Sequence, residues 1–238
     1  MILEIFNRHS LLFFISCFFI QVSVSQQYKS DTIFLKSGNI SNSFHRVFVL
    51  NNFSTYHTQL FQNMQKDSVH IAEVNAILIA RISNKKVRMH SKLLLGEWMS
   101  LHSYKGKLYA YSPSEPYINS YMNLTDSSIE INDFSDGIIP MRITEIAKTK
   151  HNGIVFIVKG LYEYARQVTF YFLNKEMDLA LVETTNQAKE KSYEIMATKN
   201  KLFHMPIIVN DCLTSRVGEW QFDKINYRKI LNSREIGN

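Results

Sequence analysis

From Leu93 to Thr198 the chain is a series of short β-compatible runs, each closed by turn residues, with no helix-length segment between them. That series leaves few architectures open. Strands are expected at Leu93–His102, Lys107–Ser112, Tyr117–Leu124, Ile129–Asn132, Ile138–Ala147, Ile154–Lys159, Val168–Leu173, Leu179–Thr184 and Tyr193–Thr198. The separators are Tyr104-Lys105-Gly106, Ser112-Pro113-Ser114, Thr125–Ser128, Ser135-Asp136-Gly137, His151-Asn152-Gly153 and Asn174–Met177. Asn152-Gly153 is the strongest hairpin signal, because both residue types tolerate the positive φ of a type I′ turn. Alternation such as Ile129-Glu130-Ile131-Asn132 places one face inside and the other in water. The fold class that follows is mainly β, with α+β as the alternative: an antiparallel meander forming a barrel or a sandwich.

Upstream, two short strands are expected at Thr32–Lys36 and Arg46–Leu50, then a turn at Asn51-Asn52-Phe53-Ser54 with Ser54 or Thr55 capping a helix over Thr55–Lys66. Val69–Ile82 reads two ways. Ile71, Val74, Leu78 and Ile82 suit a helix, whereas Ile77-Leu78-Ile79 suits a buried strand joined through Ser83–Lys86 to Val87–Met89. Met1–Ser10 carries Arg8, Leu11–Val24 is almost wholly apolar, and Ser23-Val24-Ser25 precedes the polar Gln26-Gln27. That order of charge, apolar core and small residues marks a secretory signal peptide, expected to be cleaved after Ser25. An apolar run of about 14 residues is short of the roughly 20 that span a bilayer, so an uncleaved anchor is the weaker reading. Lipidation at Cys17 is weaker again, since that residue lies inside the apolar run. The expected organisation is residues 1–25 as signal peptide, 26–90 as N-terminal strands and helix packed on or part of the main domain, 91–200 as the antiparallel β domain, and 201–238 as a C-terminal extension docking on the core. Localisation is expected to be periplasmic or secreted, with no stable membrane span after processing. A bacterial source is the reading that the Lys, Asn, Ile and Phe richness favours, as an association of composition.

Removal of the first 25 residues leaves 213, enough to bury a core without covalent staples, and leaves Cys212 as the single cysteine. No intramolecular disulfide is then available. The net charge of +6 is spread along the chain, with its densest cluster at Lys85-Lys86-Val87-Arg88, His90 and Lys92. It favours anionic surfaces such as lipid headgroups or acidic glycans only modestly. No nucleic-acid-binding module is present, so nucleic acid is not an expected partner.

The two tryptophans lie in identical triplets, Gly96-Glu97-Trp98 and Gly218-Glu219-Trp220. With Gly-x-Trp on the strand that opens the meander, Leu93 to Thr198 resembles the lipocalin-like (calycin) β-barrels. The resemblance implies a barrel closed at one end by Trp98 and open at the other to a small, mostly apolar ligand. Trp98 lies further into the chain than in that family, and the family's Asp-Tyr turn motif is missing. The alternative for Trp98 is a buried residue of any β core.

Tyrosines gather at Tyr104, Tyr109, Tyr111, Tyr117 and Tyr121, and again at Tyr162, Tyr164 and Tyr171. Tyr109 and Tyr111 share a strand face, as do Tyr162 and Tyr164. A flat ring with one hydroxyl can stack on a sugar or line a cavity, while cross-strand aromatic packing is the alternative. Trp98, Tyr109, Tyr111, Tyr117, Tyr121, Tyr162 and Tyr164 are therefore the candidate ligand-binding residues.

No catalytic residue is singled out. Gly-x-Ser-x-Gly, a phosphate-cradling Gly loop and His-Glu-x-x-His are all missing from the sequence. The eight histidines show no metal-ligand spacing, and Asn132–Gly137 lacks the spacing of a calcium loop, so neither metal nor cofactor is expected. Cys212 beside Asp211, with His204 upstream, is a faint thiol-nucleophile pattern. Glu73, Glu97, Glu145 and Glu183 are the carboxylates available to a glycosidase-type pair. The expected function is an exported, non-catalytic binding protein, a lipocalin-like carrier of a small apolar or glycan ligand. The alternatives are an envelope protein–protein module of inhibitor or immunity type, and a carboxylate-dependent hydrolase.

Overall fold

The computed structural model describes residues 32–40, 43–62, 68–82, 94–114, 119–133, 137–149, 153–161, 165–174, 176–212 and 217–235. The signal-peptide segment, the Val87–Met89 strand, Asn152, Tyr117, Tyr162 and Tyr164 lie outside them.

The chain forms a closed antiparallel barrel with a sheet wing attached. The strands are β1 (Thr32–Ile40), β2 (Ser43–Leu50), β3 (Gly96–Tyr104), β4 (Lys107–Ser112), β5 (Tyr121–Leu124), β6 (Ser128–Asp133), β7 (Gly137–Lys148), β8 (Ile154–Lys159), β9 (Ala165–Phe172), β10 (Leu179–Thr185), β11 (Lys191–Thr198) and β12 (Ile207–Cys212). The helices are α1 (Thr55–Gln62), α2 (Ser68–Arg81), α3 (Lys199–Leu202) and α4 (Tyr227–Glu235). β5 to β11 follow one another as hairpins, and β3 closes the ring by pairing with β11 on one side and β5 on the other, giving eight strands. The mainly β reading holds, and of barrel and sandwich it is the barrel. The ambiguous stretch near residue 77 is helical: Val74 and Leu78, four residues apart, bury together where α2 packs on β7.

The barrel interior is filled by the inward residues of every strand. Trp98, Ile129, Phe156, Val158, Val168, Phe170, Ala180 and Met196 expose none of their surface to a water-sized sphere. Side chains in that state line no water-sized void, so the barrel is a packed core. Trp98 meets Phe170 edge-on with centroids 5.2 Å apart, and its Nε1–H donates to the Leu94 carbonyl at 3.1 Å.

β4 leaves the barrel. The far half of β3 turns through Lys105 and Gly106 into β4, with φ of 50° and 72° at the two turn residues. This is the type I′ geometry expected at Asn152-Gly153, where Gly153 instead has no left-handed φ. Glycine is needed at 153 for space: a Cβ would lie 2.8 Å from Thr149 Oγ1 and 2.9 Å from a Tyr171 ring carbon. The Thr149 hydroxyl already accepts the Gly153 N–H at 2.8 Å, so the threonine side chain occupies the space a Cβ would need.

β12 inserts between β4, to which it runs parallel, and β2, which pairs with the edge strand β1. The wing is therefore β1-β2-β12-β4. One face carries Phe48, Ala110, Ile207 and Val209 and packs with α1 and the outer barrel wall as a second core. The other face carries Val47, Val49, Tyr111 and Ile208 and is covered by Trp220 and Phe222 of the C-terminal segment.

Ser54 starts α1: its carbonyl accepts the His57 N–H, and its own N–H donates to His57 Nδ1 at 3.1 Å. With Nδ1 an acceptor, the proton sits on Nε2, which donates to the Met205 carbonyl at 2.9 Å. Burial, opposed by these two backbone bonds, holds His57 below the ordinary histidine range, and burial does the same to His102 against its Asn119 contact. Both are then neutral in the native state while the unfolded chain protonates near pH 6.5. Stability is full above that pH and falls as acid carries the protein toward the lower native values. Thermal melts from pH 7.5 to 5 should show a falling midpoint, and a His57→Asn variant should show a shallower fall. Equal slopes would remove His57 from the account.

Candidate functional site

A groove of about 610 Å³ lies on the outer wall of the barrel, where the C-terminal segment crosses β11 and enters α4. It is lined by Lys191 and Tyr193 from β11 and by Lys224, Ile225, Asn226, Tyr227 and Arg228. β11 supplies its two residues at alternate positions, on the outer face of the strand. The opposite bank is fixed by the start of α4, where Asn226 Oδ1 accepts the Lys229 N–H at 3.0 Å and the Asn226 carbonyl accepts from Ile230. That is an N-cap, so the positive end of the α4 dipole faces the groove.

The rings of Tyr193 and Tyr227 lie nearly parallel, 23° apart with centroids at 5.8 Å, and form the groove's aromatic wall. Burial pushes both phenols up, aided at Tyr193 by Glu183 and at Tyr227 by Glu194, so both keep their protons and can donate. Beneath them Glu183 is 4% exposed, on β10 directly across from Tyr193, and takes Lys191 Nζ at 2.8 Å. Lys191 is thereby neutralised. Lys224 and Arg228 enter no ion pair among the described residues and leave the rim positive. Glu194 lies on the same strand; burial pushes its carboxyl up, against the Ser120 hydroxyl that donates to it at 2.6 Å. The site thus offers two phenol faces, two cations and a helix N-terminus, a set suited to a ring-bearing ligand with negative charge.

Among the described residues, those singled out from sequence do not gather at one surface. Trp98 is in the barrel core, wholly buried. Tyr121 is buried on the barrel's outer wall and donates to Glu97 at 2.9 Å, where Lys199 also binds at 2.7 Å. Tyr111 is 1% exposed on the wing face that Trp220 covers. Tyr109 is half-buried there, near Tyr104. Of the four glutamates, Glu73 and Glu145 are exposed on α2 and β7, while Glu97 and Glu183 each hold a lysine. The groove residues carried one sequence signal, Asn226 ahead of Tyr227-Arg228-Lys229, a capping pattern in a segment too polar to attract attention.

The second Gly-Glu-Trp triplet builds a polar cluster under the C-terminal segment. Glu219 accepts from the Tyr111 hydroxyl, from Ser114 Oγ at 2.6 Å, from the Ser114 N–H at 3.4 Å and from Asn210 Nδ2 at 3.1 Å. Tyr111 Oη accepts in turn from the Trp220 N–H at 2.9 Å. Burial and the Glu219 carboxylate push the Tyr111 phenol well above its usual range, so it keeps its proton and donates it to Glu219. In both triplets the glutamate receives a buried tyrosine hydroxyl.

Among the described residues no three metal-ligating side chains come together, and no helix is long and apolar enough to cross a membrane. Compared with known proteins, the chain matches no protein-family model, no curated protein and no solved structure.

Proposed function

We propose that this is an exported, non-catalytic binding protein that holds an acidic glycan in the groove between β11 and α4. The observation that carries the reading is the Tyr193–Tyr227 stack bordered by Lys224, Arg228 and the α4 N-terminus. Tyrosine faces present the apolar side of a sugar ring with a flat partner, and the phenol hydroxyls donate to ring oxygens. A uronate or sulfate group would meet Arg228 through two parallel N–H bonds and Lys224 through its ammonium. The barrel interior is packed, so the ligand belongs on its outer wall.

Calorimetric titration with a uronic-acid oligosaccharide, against a neutral oligosaccharide of the same length, tests this. Binding should favour the acidic chain and weaken as salt is raised. The double substitution Lys224→Glu and Arg228→Glu should weaken it at least about tenfold, since charge-assisted hydrogen bonds contribute about 1.5–3 kcal/mol each. Equal affinity for both oligosaccharides, or none for either, overturns the proposal.

A protein–protein module is the second reading, and one observation favours it. β1 ends the wing sheet as an edge strand and exposes Ile33 and Phe34 by 55% and 60%. An apolar sheet edge is a template for pairing with another chain. A stoichiometric partner recovered from envelope extract and lost on Phe34→Lys would support that surface.

A further inference from the structure

Helix α2 buries Val74 and Leu78 where it packs on β7, so its opposite half faces solvent and is expected to be polar. It is apolar instead. Val69, Ala72, Ala76, Ile79 and Ala80 are all exposed, Val69 by 66% and Ile79 by 57%. With a helical turn of about 100° per residue, these five fall within an arc of about 100° near Ala76, opposite Val74 and Leu78. Glu73 and Ile77, also exposed, border the stripe on one side. Three of the seven large apolar residues that the described surface exposes, Val69, Ile77 and Ile79, belong to this one helix. Apolar surface gathered in this way, rather than scattered singly, marks a contact with something outside the chain.

Charge decides between the occupants. From Ser68 to Lys92 the chain holds five cations, Arg81, Lys85, Lys86, Arg88 and Lys92, against the single carboxylate Glu73. That is four of the six net positive charges of the whole chain. Residues 83–92 lie outside the described ones and count only as charge tethered to the end of α2, with Lys85 within about 14 Å of Arg81. Two copies joined through α2 would bring this charge against itself. Val69 and Ile79 are also the only large side chains in the stripe, so two stripes packed together fall short of the roughly 1,200 Å² of a stable interface. An anionic lipid surface answers both points, since it attracts the cations and receives a convex helix without a matching groove. We propose that α2 lies on the surface of a bilayer rich in anionic phospholipid. Its apolar stripe sits at the boundary of headgroups and acyl chains, with Arg81 and Glu73 in the headgroup layer. A helix of 14 residues is about 21 Å long against roughly 30 Å of hydrocarbon, so it lies along the membrane and does not cross it.

The test is co-sedimentation of the chain from Gln26 onward, which contains every described strand and helix, with vesicles of phosphatidylglycerol and phosphatidylcholine. Vesicles of phosphatidylcholine alone are the comparison. Neither carries glycan, so the result stands apart from the groove between β11 and α4. Binding should favour the anionic vesicles at least about tenfold and weaken as salt is raised. Val69→Gln combined with Ile79→Gln changes two exposed side chains and should lose at least about tenfold, because each gives up apolar area that the bilayer would cover. Arg81→Gln should lose about fivefold, the share of one cation at an anionic surface. Lys107→Gln, which removes the same charge from the exposed turn between β3 and β4, should change nothing. Equal binding to both kinds of vesicle, binding to neither, undiminished binding by the Val69 and Ile79 double variant, or equal losses in Arg81→Gln and Lys107→Gln overturn the proposal. So does a dimer in lipid-free solution that the double variant abolishes, because a second copy then covers the stripe.

Discussion

Trp98→Ala is expected to destabilise the protein by about 4 kcal/mol, the size found when a large aromatic residue is deleted from a packed core. Trp98 exposes none of its surface and stands where the barrel closes. On one side it is opposite Met122 of β5, and on the other opposite Thr198 of β11. Its ring rests on Phe170, which in turn meets Phe156 at 5.9 Å, so one deletion loosens a line of three aromatic rings across the interior. Loss of the ring also removes the donor to the Leu94 carbonyl. Domains of this kind are stable by about 5–15 kcal/mol, so the variant should sit near the edge of folding. Urea unfolding followed by far-ultraviolet circular dichroism gives the number. A loss under about 1 kcal/mol would mean that the neighbours collapse freely into the gap, and the packed-interior account would fail.

The hairpins from β5 to β11 were legible because each buries one face and exposes the other, and because turn residues punctuate them at regular spacing. Lys107–Ser112 and Ile154–Lys159 match β4 and β8 residue for residue. Closure was not legible. It depends on Trp98 lying opposite Met122 in one pairing and Thr198 in the other, and such long-range register leaves no trace in local pattern. β12 was hidden for another reason. Ile207-Ile208-Val209 is buried on both faces, so the segment shows no alternation, and it pairs parallel to β4, a relation that no hairpin spacing signals. The groove followed β12 out of view, since its second bank is the polar helix α4. The two Gly-Glu-Trp triplets were visible as a repeat, yet their roles diverge. Trp98 fills the barrel while Trp220 covers the wing, because the first triplet lies on a strand and the second on a segment outside the sheet.

Glu219→Ala is expected to have the next largest effect, about 3 kcal/mol, by a different route. The carboxylate receives the Tyr111 hydroxyl, both the side chain and the backbone N–H of Ser114, and the Asn210 amide. Removing it strands donors that are buried with Tyr111 and Asn210, and each stranded buried donor costs about 1–3 kcal/mol. The Tyr111 hydroxyl also loses the acceptor that fixes its direction, and with it the arrangement that receives the Trp220 N–H. The change therefore acts on the C-terminal segment first. Its remaining ties to β3 are the Asp223 N–H to the Ser103 carbonyl at 2.8 Å and two ring contacts, Phe222 stacked on His102 at 4.4 Å and Trp220 edge-on to Tyr104 at 5.8 Å, helped by the Gly106 N–H to the Asp223 side chain. Limited proteolysis should cut the variant within residues 217–226 well before the barrel, whereas in Trp98→Ala the barrel and the segment should be lost together. Tyr111→Phe removes the principal donor, so placing it on the Glu219→Ala background should add much less than it does alone. Additive losses would show that Tyr111 and Glu219 stabilise the protein separately, and the tie between the second triplet and the wing would have to be abandoned.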